Sequence, residues 1–98
     1  MSETAEVTAL ASRVGALYER RFGGPRDALF HIGRLSEELG ELTEAVMQAE
    51  GRGRPKALPE TAIADEAADM LGFLLLLAEW KGFDLFEAFE RKWGAYDA

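Results

Sequence analysis

The stretch "MLGFLLLLAEW", Met70 to Trp80, is charge-free as far as Ala78 and apolar nearly all round. A helix with that pattern is buried on most sides. A chain of 98 residues has too few other helices to surround it. The expectation is a helical bundle in which a second copy covers the remaining face.

Three breaks lie around this stretch. "FGGP" spans Phe22 to Pro25, "GRGRPKALP" spans Gly51 to Pro59, and "KGFD" spans Lys81 to Asp84. Gly and Pro punctuate because Gly tolerates positive φ and Pro removes a backbone donor. Between the breaks the apolar spacing is helical rather than alternating. The reading is all-α: an antiparallel bundle of about four helices per chain, completed by dimerisation, in a single domain over residues 1–98. The helices are expected at Glu3–Arg21, Pro25–Glu50, Pro59–Trp80 and Leu85–Trp93. Val7, Leu10, Val14 and Leu17 form the stripe of the first. Pro25 is read as a first-turn residue of the second, and Asp84 with Glu87 as a capping box on the fourth.

Eleven basic and 18 acidic residues give a net charge of −7. Such a balance opposes non-specific binding to nucleic acid or anionic lipid. It does not oppose a phosphate compound bridged by a divalent cation. The absence of cysteine excludes disulfides, thiolate nucleophiles and zinc–thiolate sites. The acidic start "MSETAEVTAL" lacks a signal pattern, and no apolar run reaches membrane-spanning length. The expected location is cytoplasmic, with no membrane and no nucleic-acid partner.

The acids carry the functional reading. "SEELGELTEAV", Ser36 to Val46, holds Glu37, Glu38, Glu41 and Glu44. At about 100° per residue, Glu38 sits at the edge of the Leu35–Leu39–Leu42–Val46 stripe. Glu41 comes next inward, Glu37 lies at the rim and Glu44 faces solvent. On the third helix Glu66 falls among Ile63, Met70, Phe73 and Leu77, with Asp69 beside it. An unpaired carboxylate on an apolar face needs a cation or a proton. Counted from the intervening loop, Glu41 and Glu66, then Glu38 and Asp69, stand at matching heights on antiparallel helices. Four carboxylates converging on one point suit a hard divalent cation: Mg2+, with Mn2+ as substitute. A single His disfavours zinc, copper and a di-iron bundle.

"EELGE" followed by "EAAD" resembles the EExxE…ExxD signature of MazG-like nucleoside triphosphate pyrophosphohydrolases. "LGFLLLLAEWKGFDLFEAFERK" is similar to the segment that follows it there. The resemblance covers roughly Leu29 to Lys92. It implies a helical bundle assembled from dimers, and Mg2+-dependent hydrolysis of an NTP between the α and β phosphorus atoms. It implies Glu38, Glu41, Glu66 and Asp69 as metal ligands, and Glu37 as the acid that orders or deprotonates the attacking water. Glu37 and Glu38 are thus the catalytic assignments. Many relatives continue past the Lys with Asn and Arg that help hold the nucleotide. Here Lys92 is followed by "WGAYDA", and the chain contains no Asn.

Other residues remain double-valued at this level. His31 contacts substrate or makes a structural hydrogen bond. Arg34 binds a phosphate or neutralises the acids. Lys81 and Lys92 bind phosphate or cap helix ends. Trp80 and Phe73 stack a base or pack in the core. Arg52, Arg54 and Lys56 close over phosphates or belong to a plain flexible linker, the simpler reading. The partners expected are an NTP substrate and a second copy, as dimer or dimer of dimers. The competing class is a non-catalytic dimerisation or regulatory module that keeps a metal- or nucleotide-binding site.

Overall fold

The computed structural model describes residues 2–97. Among them are four helices and no strand: α1 Glu3–Phe22, α2 Ala28–Ala49, α3 Ala62–Lys81 and α4 Leu85–Gly94.

The helix starts follow their caps. Ser2 accepts from the Ala5 N–H and opens α1. Asp27 accepts from the Phe30 N–H and opens α2, so Pro25 lies outside the helix rather than in its first turn. An Asx cap satisfies a donor that proline leaves untouched, which places the boundary at Asp27. The start of α3 also moves inward from Pro59. Pro59 accepts from the Ala62 N–H in a turn, and Thr61 is the cap residue. Asp84 accepts from the Glu87 N–H at 3.1 Å, the first half of the expected capping box. The Glu87 carboxylate pairs instead with Arg91 at 3.8 Å. At the end of α3, Gly82 adopts φ 78°, and the Phe83 N–H returns to the Ala78 carbonyl at 3.0 Å. This left-handed closure favours glycine and turns the chain into α4.

Helices α2 and α3 form the main pairing, with α1 laid on α3 and α4 touching α3 lightly. The α2–α3 pair is antiparallel: Arg34 and His31 meet Phe73, while Glu38 meets Asp69 and Glu66. The α1–α3 pair is antiparallel too. Ser12 donates to Glu79 at 2.6 Å. One turn on, Gly15 lets the backbones approach: a Cβ there would lie 2.6 Å from Leu76 Cδ2.

The enclosed core is thin. Ala45, Leu75 and Ala78 are its buried apolar members, and His31 and Glu38 are buried beside them. The α1 stripe faces an open groove: Val7, Leu10 and Val14 are 40%, 54% and 40% exposed. The α3 stretch from Met70 is half-buried for most of its length, with Leu71 exposed. The radius of gyration is 15.6 Å, against about 13 Å for a compact domain of this length.

Candidate metal centre and adjoining groove

Glu38 projects from the middle of α2 into the α2–α3 contact and is 4% exposed. Opposite it stand Glu66, half-buried, and Asp69, exposed, one turn apart on α3. One carboxylate oxygen from each of the three lies within 4.8 Å of the other two. Oε2 of Glu38 and Oε2 of Glu66 are buried without a hydrogen-bond partner.

These positions follow from the helical phase. Glu38 sits where the apolar stripe of α2 meets its polar face, so packing α2 on α3 takes the carboxylate out of water. Burial pushes the Glu38 carboxyl up to about 7, with further upward contributions from Glu66, Glu41 and Asp69. Glu66 is balanced differently. The neighbouring Glu38 carboxyl lowers its pKa, burial and Glu41 and Asp69 raise it, and the net direction is upward.

Glu41 is exposed and borders Glu38 and Glu66 without joining the tight three-way group. Glu37 also stands outside it, its side chain 62% exposed. Arg34 reaches the Glu37 carboxylate at 2.7 Å and that of Glu38 at 3.5 Å. Its guanidinium lies 5.3 Å from the Phe73 ring centre. Arg34 is therefore the basic group that touches the cluster, half-exposed and held over an aromatic face.

Next to the acids opens a groove of about 890 Å3 between α1, the start of α2 and α3. Glu37, Glu38 and Asp69 stand at its acidic end, and Tyr18, Phe22 and Phe30 line the rest with the α1 aliphatics. His31 lies on its wall, buried, with Nδ1 lacking a partner. Burial lowers the His31 pKa, against upward contributions from the Arg26 backbone and Glu19. The imidazole is consequently neutral near pH 7.

Within one chain, Trp80, Lys81 and Lys92 are not brought to this cluster. Trp80 follows Asp69 by eleven residues on α3, or roughly 16 Å of helix, and lines no part of the groove. Lys81 ends α3 and Lys92 lies on α4, both exposed. The α2–α3 loop is not the plain flexible linker that its Gly and basic residues suggest. It is tied to α2 by Gln48, Met47 and Glu44 rather than hanging free.

The arrangement defines a class: an all-helical protein with a hard-oxygen carboxylate cluster between two helices, open to an apolar groove. The family follows from residues 28–93, which match the model of the MazG nucleotide pyrophosphohydrolase domain. That match takes in α2, α3 and nearly all of α4, and the chain belongs to this family. Searches of curated proteins and of solved structures return no match.

Proposed function

We propose that this chain is a Mg2+-dependent nucleoside triphosphate pyrophosphohydrolase that converts an NTP or dNTP to the monophosphate and pyrophosphate, clearing non-standard nucleotides in the cytoplasm. The observation that supports it most is the trio Glu38, Glu66 and Asp69, with two orphaned, buried carboxylate oxygens. Buried acids that repel one another are costly unless a cation joins them. The donor set is all oxygen, which fits Mg2+ and admits Mn2+.

In this reading Glu38, Glu66, Asp69 and the adjoining Glu41 hold the cation. Bound Mg2+ supplies charge neutralisation on the triphosphate and lowers the pKa of a coordinated water. Glu37 accepts the proton of the attacking water, because it is exposed at the rim and not committed to the buried trio. The water oxygen bonds to the α phosphorus, the bond from that phosphorus to the bridging oxygen breaks, and pyrophosphate departs. Arg34 holds Glu37 and Glu38 in place and is positioned to meet a phosphate at the groove mouth. The groove takes the nucleoside: Phe30 and Tyr18 offer apolar faces, and His31 offers an unpaired nitrogen.

The working form in this reading is a homodimer or a dimer of dimers. A compact protein of 10.8 kDa exposes about 5,500 Å2, whereas this chain exposes 7473 Å2. The surplus of about 2,000 Å2 per chain exceeds the ~800 Å2 that each partner gives to an ordinary stable interface. Trp80, Lys81 and Lys92 keep a substrate role only if they serve a site in a second copy. No described helix is long and apolar enough to cross a membrane.

The test is pyrophosphate release from a panel of standard and modified NTPs, with and without Mg2+. Mg2+-dependent turnover on at least one of them is expected. No turnover on any, with Mg2+ binding retained, would replace the enzyme by a regulatory module.

A further inference from the structure

The α2–α3 loop carries Arg52, Arg54 and Lys56. It is folded back along α2 by a small clamp. Gln48, on the last full turn of α2, uses both ends of its amide: Nε2 donates to the Arg54 carbonyl, and Oε1 accepts from the Lys56 N–H at 2.9 Å. The Arg52 N–H donates to the Met47 carbonyl at 2.7 Å. These bonds fix the backbone on either side of Pro55 and send the Lys56 side chain back to Glu44 on α2. Its Nζ sits 2.8 Å from Glu44 Oε1. The Glu44 contact, then the charge of Glu41, which borders the cluster, raises the Lys56 pKa.

We propose that Lys56, held by the Gln48 clamp, is a contact for the β,γ-phosphate end of the substrate and for the departing pyrophosphate. The inference rests on the catalytic reading above and on an order of groups along α2. The groove wall around Phe30 and His31 comes first. Glu38 follows His31 by seven residues, or roughly 10 Å, and Glu44 with its Lys56 partner follows Glu38 by six, or roughly 9 Å. A nucleotide has the same order: base, α-phosphate, then β and γ. With the nucleoside in the groove and the α-phosphate at the acids, the terminal phosphates run toward Lys56. An ammonium there meets the part of the substrate that carries most charge and that becomes pyrophosphate. Leaving Glu44 costs Lys56 little. The pair is 57% and 43% exposed, and such pairs are worth about 0–1 kcal/mol.

Gln48 is a positioning residue: it touches the loop and not the substrate. Its amide holds Lys56 at the level of Glu44, where an untethered linker would sweep the ammonium through solvent.

The experiment measures Mg2+-dependent binding of inorganic pyrophosphate to the full chain by calorimetry, for wild type, Lys56→Ala, Lys56→Arg, Gln48→Ala and Glu44→Gln. Mg2+ binding alone is measured in parallel. Lys56→Ala is expected to weaken pyrophosphate binding about tenfold, the loss of one charge-assisted hydrogen bond, and Lys56→Arg to recover most of it. Gln48→Ala weakens it by a smaller factor. Glu44→Gln, which frees Lys56, leaves it equal or tighter. The affinity for Mg2+ alone stays within about twofold throughout, because Lys56 acts on the anion rather than on the cation. Wild-type binding by Lys56→Ala, or equal weakening by Glu44→Gln and Lys56→Ala, would overturn the inference. NTP turnover is scored separately. Lys56-dependent pyrophosphate binding without hydrolysis of any NTP supports the phosphate contact and overturns the catalytic reading. Hydrolysis with KM and pyrophosphate affinity unchanged in Lys56→Ala does the reverse.

Discussion

Replacing Glu38 by Gln should stabilise the metal-free protein at alkaline pH, although it removes a residue central to the proposed site. Glu38 is 4% exposed, and its carboxyl is pushed from 4.5 up to about 7, first by burial and then by Glu66, Glu41 and Asp69. A carboxyl whose folded-state pKa is raised binds its proton more tightly folded than unfolded. Its contribution to stability is therefore fully present below about pH 4.5 and is lost as the pH rises through about 7. The gap of 7 − 4.5 = 2.5 pH units, at about 1.4 kcal/mol each, amounts to about 3 kcal/mol shared by Glu38 and the acids around it. For a domain of this size that is a Tm change of roughly 10 °C or more. Gln keeps the shape and drops the charge, and its amide can donate to the orphaned Oε2 of Glu66.

The assay is thermal unfolding in chelator across pH 5 to 8. Wild type should lose stability between pH 5 and about 7 and level off above that, and Glu38→Gln should lose much less. The two should nearly coincide at pH 5, with the variant clearly ahead at pH 8. Adding Mg2+ at pH 8 should reverse the order, since the cation stabilises a protein only through the carboxylates it binds. A flat wild-type profile in chelator, or a variant less stable than wild type at pH 8, would refute the argument that Glu38 is a repelled, buried acid.

Four other outcomes are expected. Asp69→Asn should abolish Mg2+-dependent pyrophosphate release while its Tm in chelator stays at or above that of wild type, since one repelling charge is gone. His31, the single histidine, should titrate below 6.5 by NMR because burial disfavours its charged form; a midpoint above 6.5 would contradict the buried imidazole. Gly82→Ala should cost about 1–2 kcal/mol in chemical denaturation, because a Cβ is strained at φ 78°. The chain should sediment as a dimer or tetramer of the 10.8 kDa protomer at micromolar concentration, and a monodisperse monomer would leave the surplus surface unexplained.

Much of this architecture is legible in the sequence, for identifiable reasons. The four helices stand out because three Gly/Pro clusters interrupt an otherwise helical apolar spacing. Two starts shift inward, at α2 and α3, because a capping side chain or a turn sets the first hydrogen bond and prolines nearby do not. The inward aim of Glu38 follows from phase alone. Phase is silent on what stands opposite, so it ranks Glu41 second inward while Glu41 remains exposed beside the tight group. The same limit applies to α1. Its stripe of Val7, Leu10 and Val14 is read correctly as apolar, yet it faces a groove instead of a filled core. The Gln48 clamp and the Lys56–Glu44 pair span six, eight and twelve residues across a loop. No periodicity encodes contacts of that kind, and Gly and Arg in the loop suggest freedom that the amide of Gln48 removes.

The acids also bear on why the fold is thin where it is. The α2–α3 contact is the principal pairing in the chain, and it has to accommodate Glu38 and Glu66 with unpaired oxygens inside it. A protein selected for stability alone would fill that space with aliphatic side chains, which is commonly neutral or stabilising. Retaining mutually repelling acids at its main helix contact ties the strength of the α2–α3 pairing to whatever neutralises them. Arg34 does so in part from the groove side, at 2.7 Å and 3.5 Å from Glu37 and Glu38. It is half-exposed and reaches neither orphaned oxygen. The remaining deficit sits on Glu38 Oε2 and Glu66 Oε2, both buried, on the two paired helices. A cation placed there would therefore tighten the helix pair in the same act that prepares the site, so that stability and occupancy rise and fall together.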